Sequence, residues 1–297
     1  MKKYTKIALA VSVAGTSAFA LAGHSSADSA RQAASVGNAV PAVNIAQRVD
    51  VTNVAYPLES YKLTDDQEKK IVQAVDALTV SCMKSFGITY KPVPSTGDNG
   101  LGSSHKHLYG VTDEKEARTY GYGDPDVGQE VQKQTTGETD EELAVRLGEV
   151  TTYNGKPVPE GGCQGQSSRQ VFKGQSAEQG EAFTDELILQ ASARTQEDPR
   201  VREVFHKWNN CMKDKGFSYK TPLEALDDSE FAAPSVTQRE KDVAVADAQC
   251  KKNNNVTGVW SSVEMAYQKR AIGENSARLA GVRANIQKNM QSVARIK

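Results

Sequence analysis

Two stretches of the chain repeat one another: Cys82-Met83-Lys84-Ser85-Phe86-Gly87-Ile88-Thr89-Tyr90-Lys91-Pro92 and Cys211-Met212-Lys213-Asp214-Lys215-Gly216-Phe217-Ser218-Tyr219-Lys220-Thr221-Pro222. Each sets a cysteine five residues before a glycine, the spacing of a last helical turn closed by a left-handed residue. Beyond each glycine an apolar/polar alternation runs into proline, which predicts an extended exit from the helix.

The residues ahead of both copies have helical spacing. Before the second, Asp198 serves as N-cap with Pro199 at the first helical position. Val201, Val204, Phe205, Trp208, Cys211 and Met212 then form one apolar stripe. Before the first, Thr64 and Gln67 make a capping box, and Ile71, Val75, Leu78 and Cys82 share a face. Thr139 with Glu142 starts a third helix through Leu143 and Leu147 to Gly148. Asp113 to Tyr120 reads as a short helix, Cys163 opens a polar one through Val171 and Phe172, and Thr184 to Ala193 reads as another. Ser235 to Lys252 is helical, with Val243, Ala246 and Cys250 on one face. Val259 to Ile296 carries apolar residues at three and four spacing, with Gly273 and Gly281 as weak points. The fold class is therefore mainly α, with capped amphipathic helices, long Gly-rich loops and a long C-terminal helix.

The four cysteines are placed to make two disulfides. Three pairings are possible, and the repeat favours the sequential one, Cys82 to Cys163 and Cys211 to Cys250. Loops of that size stabilise by about 4 to 4.5 kcal/mol each on the chain-entropy estimate, which matters for a chain with only 6% aromatic residues. A zinc site lacks the Cys-x-x-Cys spacing, and His206 lies five residues before Cys211, off its helix face.

An oxidising destination agrees with the start of the chain. Three lysines within Met1 to Lys6 precede the apolar run Ile7 to Ala22, the pattern of a signal peptide, with cleavage expected after Ala22. The run is too short for a favoured transmembrane span, and no other run resembles one. Residues 23–56, rich in Ala, Ser, Val, Asn and Gln, read as a flexible tether. Residues 57–194 then form a first cysteine-linked half, and 195–297 a second.

Cleavage removes three lysines and no acid, which takes the formal net charge from −1 to −4. The tail is the exception to this acidity. Lys269, Arg270, Arg278, Arg283, Lys288, Arg295 and Lys297 face one acid, Glu274, giving +6 against −10 for residues 23–268. Such a tail is expected either to reach out to an anionic envelope component or an envelope protein, or to dock by its apolar stripe and leave the basic residues solvated.

Reactive motifs are missing. There is no Gly-x-Ser-x-Gly elbow, no His-Glu-x-x-His and no phosphate loop, so no catalytic or metal residue is assigned and no cofactor or nucleic acid is implied. His105 and His107 alternate as strand ligands would, but their Gly and Ser neighbours point to a loop. Asp124, Asp126 and Glu130 lack the ligand order of a calcium loop. Glu141, Glu142, Asp113 and Glu114 suit helix N-termini, and Trp208 and Trp260 suit core packing.

The two Cys-Met-Lys-x-x-Gly copies resemble a group of uncharacterised exported proteins of actinobacteria such as Streptomyces. So do Tyr109-Gly110-Val111-Thr112-Asp113 leading to Gly121-Tyr122, Gly161-Gly162-Cys163, and Ala246-Asp247-Ala248-Gln249-Cys250. The likeness spans most of residues 60–297 and implies export and the cysteine framework. Many relatives look like lipoproteins, whereas this chain has no cysteine near its cleavage site. The expected role is a non-enzymatic binding or interaction protein, secreted or held at the cell envelope. The alternative is a secreted hydrolase in which clustered acids and His206 meet in one cleft.

Overall fold

The last turns of the two repeat copies are built alike. Gly87 and Gly216 have φ of 83° and 87°. Ile88 N donates to Met83 O at 3.1 Å and Phe217 N to Met212 O at 2.9 Å, the same six-residue closure at both sites. Both methionines are fully buried under the turn. The helices so closed are α1 (Asp65–Ser85), capped by Thr64 and Gln67, and α6 (Pro199–Asp214), capped by Asp198.

A computed structural model describes residues 40–47, 49, 54–93, 108–123, 137–172, 177–232 and 235–296. Residues 1–22, read as a signal segment, together with His105, His107, Asp124, Asp126, Glu130 and Lys297, lie outside them. The other helices are α2 (Glu114–Tyr120), α3 (Asp140–Leu147), α4 (Gly162–Phe172), α5 (Ala177–Glu197), α7 (Pro222–Leu226), α8 (Gln238–Asn253), α9 (Val256–Glu274) and α10 (Ser276–Val293). Between α3 and α4, β1 (Thr152–Tyr153) and β2 (Lys156–Pro157) form a small antiparallel hairpin. Its turn, Asn154-Gly155, takes positive φ at both residues, which suits the twist of paired strands.

The cysteines pair in sequence order. Cys82 is bonded to Cys163 and Cys211 to Cys250, with Cα separations of 5.5 and 5.7 Å. The first bond ties the end of α1 to the start of α4, and the second ties the end of α6 to the end of α8. Two such bonds suit an oxidising, extracytoplasmic environment. No helix among the described residues is long and apolar enough to cross a membrane.

Helix α9 is the pillar of the main core. Val256, Trp260, Val263 and Tyr267 pack with Val201, Val204, Phe205, Trp208 and Met212 of α6 and with Val243, Ala246 and Cys250 of α8. From Val256 to Gln268 it is buried or half-buried around its circumference, so polar side chains are buried too, and four of them hold chain outside the helix. Ser262 Oγ accepts from Ala46 N at 3.0 Å, Gln268 Oε1 from Leu58 N at 3.1 Å and Glu264 Oε2 from Tyr109 Oη at 3.4 Å. Tyr267 Oη donates to the Asp198 cap at 3.2 Å. These bonds satisfy buried groups that would otherwise destabilise the helix.

Two expectations are corrected here. First, the stretch read as a tether through residue 56 packs from Pro41 onward. Arg200 Nη1 donates to Pro41 O at 3.0 Å, Val43, Ile45, Val49 and Val54 lie against the main core, and Tyr56 is buried in it. Second, the two halves do not divide at 194/195. That boundary falls inside α5, and the segment 108–123 sends Tyr109 and Tyr122 into the core of the second half while α2 packs on α8. Residues 41–297 form one compact unit. The long C-terminal helical stretch is present as expected and is interrupted at Asn275, two residues past the weak point at Gly273. Asn275 leaves helical geometry at φ −120° and ψ 20°, while its side-chain amide caps Ala271 O at 2.8 Å.

After that break α10 is docked. Leu279 and Val282 are buried with Leu58, Phe183 and Leu187, and Met290 and Val293 pack with Ile71, Ala74 and Val171 of α1 and α4. The tail is therefore part of the core on one face.

Candidate functional site

The densest chemistry lies inside the protein, on α8. Asp247 and Lys251, one helical turn apart, form an ion pair at 2.7 Å with side chains 0% and 2% exposed. Asp247 Oδ1 accepts from Trp208 Nε1 at 2.9 Å, and Oδ2 accepts from Tyr122 Oη at 3.1 Å. Lys251 Nζ also donates to the carbonyls of Tyr109 and Val111, at 2.5 and 3.1 Å. Three donors surround the carboxylate and three acceptors surround the ammonium, the condition under which a buried pair is tolerated. Burial pushes the Asp247 carboxyl up and the Lys251 amine down, and their mutual attraction opposes both shifts.

Beside the pair runs a second buried chain. Tyr56 Oη and Tyr109 Oη are in close hydrogen-bond contact, and Tyr109 reaches Glu264. Burial, with the charge of Glu264 beside them, holds both phenols well above their ordinary range, and burial with the Asp247 carboxylate beside it does the same to Tyr122. These tyrosines are fixed donors. On α8 Glu240, also buried, takes Tyr122 N at 3.0 Å. It fills the space against Gly121, where a Cβ would overlap its carboxyl. Trp260 stands edge-on to Tyr109 and Phe205, with ring centroids 4.9 Å away in both cases. Its Nε1 has no acceptor among the described residues.

This cluster is sealed by tightly packed side chains, and every member but Trp260 spends its polar atoms on another part of the fold. Its work is to hold segments 54–58 and 108–123 on α8 and α9. The sequence held a signal for it: Asp247 and Lys251 sit at i, i+4 on the face that carries Val243, Ala246 and Cys250.

Among the described residues, His206 stands apart from the buried acids. His206 is exposed on the outer side of α6, and its Nδ1 lies 3.5 Å from Asn210 Nδ2. Trp208, on the inner side of the same helix, is the one that reaches Asp247. Asp113, Thr139 and Glu142 cap helices, as their spacing suggests. Among the described residues no group of His, Cys, Asp and Glu is arranged to hold a metal. A recess lined by Leu63, Gly180, Val282, Ile286 and Asn289 holds about 20 Å³, room for a single water.

The basic tail residues occupy the surface. Lys269, Arg278, Arg283, Lys288 and Arg295 are exposed, and Arg270 is half-buried beside the Tyr267 ring at 5.7 Å. Two of them are held in place by neighbours that spacing alone did not identify. The Arg278 guanidinium lies 3.5 Å from the Phe183 ring centroid on α5. Arg283 lies 4.0 Å from that of Tyr61, in the 3-10 turn Pro57–Tyr61, and donates to Ser60 Oγ at 2.8 Å. Neither pairs with a carboxylate among the described residues.

No protein-family model matches the chain. Comparison with curated proteins and with solved structures finds no match.

Proposed function

We propose that this chain is an exported, non-enzymatic binding protein of the cell envelope, in which the disulfide-stapled helical core is a scaffold and the exposed basic side of α10 is the contact surface. One observation carries the reading: α10 has no acidic residue, is anchored along one side by Leu279 and Val282, and keeps Arg278, Arg283 and Lys288 in solvent on a chain whose remainder is acidic. Fixed cations on an otherwise acidic molecule steer a polyanion to one face. The two disulfides, the signal-like start and the resemblance to exported actinobacterial proteins support the location. The partner class is an anionic component of the envelope or an envelope protein with an acidic face.

Cell fractionation tests it. The protein should sediment with the envelope, lack residues 1–22 and leave the envelope fraction in high salt, because exposed charges are screened beyond about 3 Å at 1 M. Recovery from the cytosol with Met1 intact would overturn the reading.

A further inference from the structure

The two stacked arginines do not lie on the same side of α10. At about 100° per residue, with the buried line through Leu279, Val282 and Ile286 taken as the bottom of the helix, Arg278 and Arg283 emerge on opposite flanks. One leans onto Phe183 of α5 and the other onto Tyr61 of the 3-10 turn. The ridge between them is made of small exposed residues, Ala277, Ala280, Gly281 and Ala284. Lys288 continues the positive charge along that ridge, and Arg295 follows in the turn past the end of α10. A Cβ on Gly281 would meet nothing within 4 Å, so the floor is open.

We infer that this face is a track for a linear, phosphate-linked polymer, lying along the small-residue ridge with its phosphates between the flanking guanidiniums and on Lys288 and Arg295. The inference rests on the binding role proposed above and gives that role a site and a ligand class. Stacking removes much of the side-chain freedom that binding would otherwise cost, and although Arg283 spends Nε and Nη2 on Ser60, its Nη1 stays available to donate. Successive cations at 278, 283 and 288 step along the helix by about 7.5 Å, so the face meets a chain of regularly spaced charges better than one compact anion.

The floor argues against other polyanionic surfaces. A helix that lies on a lipid bilayer presents large apolar residues to it, and this face presents alanine and glycine. Single-stranded nucleic acid is held by aromatic side chains under its bases. The outward positions of α10 carry none, because the two nearby rings are already covered by Arg278 and Arg283.

The test uses the purified, disulfide-intact chain without residues 1–22, and inorganic polyphosphate as the probe, read by fluorescence anisotropy at low and high salt. Lys288→Gln with Arg295→Gln leaves every described side-chain contact in place and should weaken binding about tenfold. Lys213→Gln with Lys220→Gln makes the same change of net charge elsewhere and should weaken it less than about twofold. Arg278→Gln with Arg283→Gln should weaken it further. If that variant melts early, Arg278→Lys with Arg283→Lys keeps the charge, and its loss of affinity reads the stacking itself. Equal losses from the tail pair and the control pair would overturn the track, as would tighter binding to poly-glutamate, to a DNA oligonucleotide or to anionic vesicles. Polymer binding by a protein found in the cytosol would instead overturn the envelope role and leave the track standing.

Discussion

Trp208 donates its Nε1–H to Asp247 Oδ1 at 2.9 Å inside a core where neither residue reaches solvent. Trp260, equally buried, has no acceptor for the same group among the described residues. Replacing each by phenylalanine deletes the same atoms but only one hydrogen bond to a charged partner. Trp208→Phe should therefore cost about 1 to 2 kcal/mol more than Trp260→Phe in urea unfolding. Equal losses would show that the bond to Asp247 contributes nothing net.

The ion pair beneath Trp208 should fail asymmetrically. Lys251→Met leaves the Asp247 carboxylate without its counter-charge and should cost about 3 to 5 kcal/mol. Adding Asp247→Asn removes the stranded charge and should recover part of that loss. A double variant less stable than Lys251→Met, by the same unfolding measurement, would contradict the arrangement.

Acid stability should depend on Asp198. Burial raises its carboxyl, but hydrogen bonds and charge from Arg200, at 2.7 and 2.8 Å, outweigh burial and hold it below the usual carboxylate range. As pH falls the unfolded chain is protonated first. The stabilisation is complete above the ordinary carboxylate range and is lost as pH falls through the lower folded-state value. Asp198→Asn keeps a helix cap but should be less stable at neutral pH and should flatten the acid limb. Parallel stability-against-pH curves for the two proteins would refute this.

Gly258 and Gly273 both lie in α9, and they should respond in opposite ways to alanine. A Cβ on Gly258 would overlap Ala46 O and the Asn255 side chain, displacing segment 41–47. A Cβ on Gly273 meets nothing within 4 Å. Gly273→Ala should stabilise by up to about 1 kcal/mol through helix propensity. Gly258→Ala should destabilise and speed hydrogen exchange at Ala46 N. Unchanged exchange there would mean that segment 41–47 does not rest on α9.

Helix ends were legible in the sequence because their causes are local. Thr64 with Gln67, Thr139 with Glu142 and Asp198 with Pro199 announce starts, and Gly87 and Gly216 announce stops. The disulfide pairing was legible because the repeat sets each cysteine in an equivalent last turn. What stayed hidden depends on distant partners. Tyr109 and Tyr122 find their carboxylates 155 and 125 residues away, so nothing near them in sequence marks 108–123 as part of the second half's core. The polar residues of α9 weaken its periodic pattern, although they are what bind residues 46 and 58 to it. On the tail the charge was legible, whereas the rings of Tyr61 and Phe183 that fix two of its arginines were not.

The most direct measurement is a non-reducing peptide map, with N-terminal sequencing, of the protein purified from its native cells. An exported, stapled scaffold predicts a chain that begins after Ala22 and yields the linked pairs Cys82 with Cys163 and Cys211 with Cys250. Free thiols at these positions, a Cys82 to Cys211 link, or an intact Met1 would contradict it.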